Sequence, residues 1–69
     1  MMVNTNKLRG IIAERGLSQS KVAKTLGVTP KTFYLKMQIG RFDSDEISEM
    51  IDLLNIENPM EIFFAKQVT

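Results

Sequence analysis

Apolar residues recur at intervals of three and four along most of this chain, the spacing at which one face of a helix turns inward. Leu8, Ile11 and Ile12 predict a first amphipathic helix over Asn6 to Arg15, with Asn4 or Thr5 able to cap its start. Gly16 stops it, since glycine tolerates the left-handed conformation wanted just past a helix, and Leu17 supplies the hydrophobic contact of a Schellman stop. Ser18 then stands where an N-cap belongs, and Val22, Ala23 and Leu26 form the inward stripe of a second helix that ends at Gly27. Ala23 is small enough to let a neighbouring helix cross closely. Thr29 caps a third helix whose first residue, Pro30, loses no hydrogen bond there, and Phe33 and Met37 are its inward pair before Gly40 ends it.

The run FDSDEI marks the next start: Asp43 as N-cap, Glu46 at the capping-box position, and Phe42 and Ile47 as a hydrophobic staple. Ile47, Met50, Ile51 and Leu54 face inward from this fourth helix, with Glu49 and Asp52 outward. Asn58-Pro-Met-Glu61 repeats the cap logic for a short fifth helix, in which Ile62, Phe63 and Phe64 cannot all reach one core, leaving one exposed. With no repeat, low-complexity tract or linker, the expectation is an all-α fold of five helices forming one domain over residues 1–69.

Within that pattern, Gln19 to Gln38 reads as two short helices joined by a tight turn at Gly27, a helix-turn-helix spanning about residues 18–38. Such a motif presents its second helix on the surface, where it can enter the major groove of DNA.

Composition narrows the alternatives. Sixty-nine residues make one small domain that buries about 60% of the surface its unfolded chain exposes. Cysteine is absent, so neither a disulfide nor a thiolate metal site staples it. Histidine is absent too, which removes the usual proton shuttle, the commonest metal ligand and every imidazole-based triad. The expectation is a protein that is not an enzyme and uses neither metal nor cofactor. The start MMVNTNKLRG lacks the apolar stretch of a signal peptide, and no apolar run spans a bilayer, so a cytosolic setting in the host cell is expected.

The net charge of +1 conceals a division. Up to residue 41, Lys7, Arg9, Arg15, Lys21, Lys24, Lys31, Lys36 and Arg41 face Glu14 alone, an excess of seven positive charges. Beyond it, Asp43, Asp45, Glu46, Glu49, Asp52, Glu57 and Glu61 face Lys66 alone, an excess of six negative ones. The basic half carries the helix-turn-helix, which points to a polyanionic partner. The plainer reading is that both sets are solvated helix faces.

Taken together, Gln19, Val22-Ala23, Leu26-Gly27-Val28 and Thr32-Phe33 with the flanking helices resemble the lambda-repressor-like DNA-binding domains of phage repressors and Cro proteins. The resemblance covers essentially the whole chain. It is closest to small regulators from phages of Gram-positive bacteria, in TFYLKMQIGRF after the turn and EISEMIDLLNIENPMEIFFA toward the end. It implies that the third helix is the recognition helix, with Pro30, Lys31, Tyr34, Leu35 and Gln38 outward. Of these, Pro30, Lys31, Tyr34 and Leu35 are the expected base contacts.

Lys31 can donate to guanine O6 or N7 or to a phosphate, its plain role being a solvated lysine near a helix start. Tyr34 can meet a phosphate or a thymine methyl, or simply cover the neighbouring helix. Gln19, at the start of the second helix, is expected on the DNA backbone, as are Lys36, Gln38 and Arg41 beyond the recognition helix. Lys36 stands where many helix-turn-helix sequences have an apolar residue, and Met37 takes over the packing. Pro30 and Leu35 donate no hydrogen bond, so they read bases only by apolar contact, chiefly with thymine methyls.

The implied function is a phage-type transcriptional regulator that binds a duplex operator. An apolar outward face also suits a protein partner, and the competing reading is an antirepressor that binds a partner phage repressor instead of DNA. A weak homodimer on a palindromic operator is expected, with Leu54, Ile56, Phe63 and Phe64 in its interface.

Overall fold

Five helices follow one another in the computed structural model, which describes residues 3–63: α1 (Thr5–Glu14), α2 (Gln19–Leu26), α3 (Pro30–Ile39), α4 (Ser44–Leu54) and α5 (Pro59–Phe63). No strand occurs among the described residues, and none of their helices is long and apolar enough to cross a membrane. The starts follow the predicted caps. Asn4 Oδ1 accepts from Lys7 N–H at 3.2 Å, Ser18 Oγ from Lys21 N–H at 3.1 Å, and Thr29 Oγ1 from Thr32 N–H at 3.2 Å. At α4 the capping box closes in both directions: Asp43 Oδ1 accepts from Glu46 N–H at 2.8 Å and Glu46 Oε1 from Asp43 N–H at 3.0 Å.

The stops are equally local. After α2, Gly27 adopts φ +79°, its N–H returns to Lys24 O at 3.1 Å, and Val28 N–H returns to Ala23 O at 3.0 Å. These paired bonds satisfy carbonyls that a helix end would otherwise leave unpartnered. Asn55 ends α4 in the same left-handed region at φ 50°, a stop not read from the sequence although asparagine tolerates that conformation. At α5 the expected side-chain cap is replaced. Asn58 Nδ2 donates to Glu61 Oε2 at 3.3 Å, and Glu61 N–H reaches the backbone carbonyl of Asn58 at 3.2 Å.

α2 is the central element, packed against α1, α3 and α4, with Val22 and Ala23 fully buried. Around it lie Leu8 and Ile12 of α1, Phe33 and Met37 of α3, Met50 and Leu54 of α4, and Ile62 and Phe63 of α5. The Phe33 and Phe42 rings meet in a tilted pair with centroids 5.5 Å apart, fixing the α3–α4 connection onto the core. The N-terminal segment clasps two distant elements: Val3 N–H bonds Gly40 O at 3.0 Å, and Asn4 N–H bonds Ile62 O at 2.7 Å.

This packing corrects the expected pairing surface. Leu54, Ile56 and Phe63 are buried in the chain's own core; the clasp and the packing of α5 on α1 turn Ile62 and Phe63 inward, while Met60 of the same helix stays exposed. The side chains of Leu54, Ile56 and Phe63 do not stand on the surface of this chain. Phe64 lies outside the described residues.

Candidate nucleic-acid interface

α3 is anchored along one side and bare along the other. Phe33 and Met37 are in the core, whereas Pro30, Lys31, Tyr34, Leu35, Gln38 and Ile39 are all exposed. On a helix of 3.6 residues per turn, 31, 35 and 39 form one row and 30, 34 and 38 the row beside it, so the six make a continuous face. Ile39 was missed by the sequence reading. It is 61% exposed, more than Leu35 at 50% or Tyr34 at 48%. Its spacing of four from Leu35 and eight from Lys31 was the signal that it shares their row.

Each expected contact has a definite place. Lys31 is exposed at the second position of α3 and has no ion-pair partner among the described residues. Tyr34 reaches across to α2, its hydroxyl 3.2 Å from Ser20 Oγ, so the ring bridges the two helices. Gln19 is half-buried at the first position of α2, and Gln38 is exposed near the end of α3. Arg41 is exposed just past α3, on the rim of an apolar groove that includes Val3, Phe42, Ile47 and Phe63.

Lys36 is committed elsewhere. Its Nζ lies 2.5 Å from Glu46 Oε2, and the Glu46 side chain is only 9% exposed. A carboxylate this buried needs both of its oxygens partnered. Glu46 meets the requirement with the Asp43 N–H on Oε1 and the Lys36 ammonium on Oε2. Lys36 therefore ties α3 to the start of α4, and its ammonium is engaged within the chain rather than free for the expected phosphate contact.

Two further cations of the basic half are also engaged within the chain. Lys7 pairs with Glu61. Arg15 donates from Nε to Leu54 O at 2.8 Å, placing a positive charge at the C-terminal end of α4, where exposed carbonyls favour it. What remains without an acidic partner among the described residues is Arg9, Lys21, Lys24, Lys31 and Arg41. Lys21 and Lys24 are on α2, Lys31 on α3, and Arg41 directly follows it.

The helix starts show a related asymmetry. α4 carries Asp45 and Glu46 in its first turn, the arrangement its dipole favours. α1, α2 and α3 carry no acid in theirs; at α1 Lys7 is paired with Glu61, whereas α2 and α3 present Lys21 and Lys31 without an acidic partner among the described residues. Positive side chains at positive helix ends leave both starts short of an anion. No family model, curated protein or solved structure matches this chain.

Proposed function

We propose that this chain is a transcriptional regulator of the lambda-repressor-like kind, which lays α3 in the major groove of a duplex operator. α2 and α3 then form the helix-turn-helix, with Gly27 at the turn. The observation that carries the reading is the outward face of α3, six exposed side chains on a helix whose opposite side is locked into the core. The unpaired cations on α2, α3 and the residue after α3, together with two helix starts lacking an anion, give that face a partner of phosphate chemistry. Lys31 donates to a guanine edge or to the phosphate beside it; Gln38, expected on the backbone, is the other exposed hydrogen-bonding group of the face; and Pro30, Tyr34 and Leu35 are its apolar readers. Gln19 and Arg41 hold the backbone.

Two copies act on one palindromic operator, because a single small domain buries too little surface for specific binding. Half-site centres then lie about 34 Å apart. The test is selection of binding sequences from a random duplex pool, followed by footprinting. Enrichment of a two-fold symmetric site supports the proposal, and recovery of no sequence above the starting pool removes it.

A second reading is favoured by one specific observation, the exposure of Tyr34, Leu35 and Ile39 side by side. A face with that much apolar surface suits a partner repressor protein, which this chain would inhibit by binding. Leu35→Ala separates the two: loss of operator binding with protein binding intact belongs to the DNA reader, and the reverse to the antirepressor.

A further inference from the structure

Resting on the DNA-reading proposal, we infer that sequence is read mainly through thymine methyl groups, by Leu35 and Ile39 acting as a pair. The outward face of α3 is short of the groups that read bases by hydrogen bonding. It has no arginine for guanine, no asparagine for adenine and no carboxylate for cytosine. Lys31 and Gln38 remain, while the Tyr34 hydroxyl is shared with Ser20 Oγ at 3.2 Å. Against these, Pro30, Leu35 and Ile39 have no polar side-chain atom at all.

In the major groove the matching base group is the C5 methyl of thymine. Exposed apolar side chains that meet it gain by removing both surfaces from water, whereas the polar edges of the other bases would lose hydration against them without repayment. The two residues are also spaced for it. Four residues of helix advance about 6 Å, and successive bases of one strand rise about 3.4 Å, so a helix lying along the groove sets Leu35 and Ile39 over methyls about two base steps apart. The substrate class is duplex DNA with such a pair of thymines in each half-site, flanked by phosphates within reach of Lys24, Lys31 and Arg41.

The experiment alters the DNA and leaves the protein intact. A site selected from the random pool is resynthesised with each thymidine replaced in turn by deoxyuridine, which pairs identically and lacks only the methyl. Affinity should fall about fourfold at each of two positions per half-site, the ratio corresponding to about 0.8 kcal/mol for one buried carbon group, and should hold elsewhere. Leu35→Ala should abolish the response at one of the two positions and Ile39→Ala at the other, with unchanged circular dichroism. Both residues are exposed, so neither truncation opens the core. A selected site that tolerates deoxyuridine everywhere overturns the methyl reading and leaves the DNA-binding proposal standing. If no sequence is enriched, both are overturned, and the apolar row is then left to a protein partner.

Discussion

Lys31 stands at the second position of α3, where the helix dipole disfavours a positive charge and nothing acidic lies in the first turn. Lys31→Glu is therefore expected to raise folding stability by about 0.3–1 kcal/mol in urea unfolding, while operator affinity falls. A variant both less stable and weaker in binding would show that the lysine serves the fold. Gly27 poses the opposite case. It holds φ +79°, and a Cβ built there meets nothing within 4 Å. The cost of Gly27→Ala is then purely that of the left-handed backbone, about 1–2 kcal/mol, with the denaturant slope unchanged. A much larger loss would mean that the turn is sterically crowded.

Between elements, the ion pair of Lys36 and Glu46 joins α3 to the start of α4, beside the Phe33–Phe42 ring pair. Lys36→Met removes the cation and leaves a buried carboxylate with one oxygen unpartnered. Breaking a fully buried pair costs about 3–5 kcal/mol, but the Lys36 side chain is 31% exposed, so water offsets part of this. A loss of about 1–2 kcal/mol is expected after that discount. Adding Glu46→Gln should recover most of it, since the neutral amide can still accept from Asp43 N–H. DNA binding supplies the second readout. If Lys36 holds the fold, the double variant keeps the salt dependence of the parent, whereas a phosphate contact would make the slope shallower by about 0.9.

For the whole molecule, the proposed DNA binding ties salt response to the segregation of charge. Eight basic residues precede residue 42, but Lys7 and Lys36 are paired with acids and Arg15 is turned to the end of α4. Lys21, Lys24, Lys31 and Arg41 remain around α2 and α3. Four phosphate contacts per copy give a slope of about −3.6 in log affinity against log salt, and two copies on one operator double it to about −7. Titrations at several salt concentrations measure it directly. A slope near zero would remove the electrostatic argument, and one of about −3.6 with a single half-site footprint would mean that one copy binds alone.

Much of the architecture is local chemistry and was legible from the chain. Asn4, Ser18, Thr29 and Asp43 cap because a side-chain oxygen lies three residues before an unpartnered N–H, and Gly27 and Gly40 stop helices because their φ values, +79° and +80°, suit residues without a Cβ. Periodicity likewise placed Phe33 and Met37 inside, and the resemblance placed Pro30, Lys31, Tyr34, Leu35 and Gln38 outward, though not Ile39 beside them. The roles of Lys36, Arg15, Val3 and Phe63 were not legible, because each depends on a partner 10 to 60 positions away: Glu46, Leu54, Gly40 and the rest of the core. Helical spacing tells which residues share a face but not what lies opposite. Only the packing of α4 and α5 decided that a lysine of the basic half neutralises a buried carboxylate, and that Leu54, Ile56, Ile62 and Phe63 close the chain's own core.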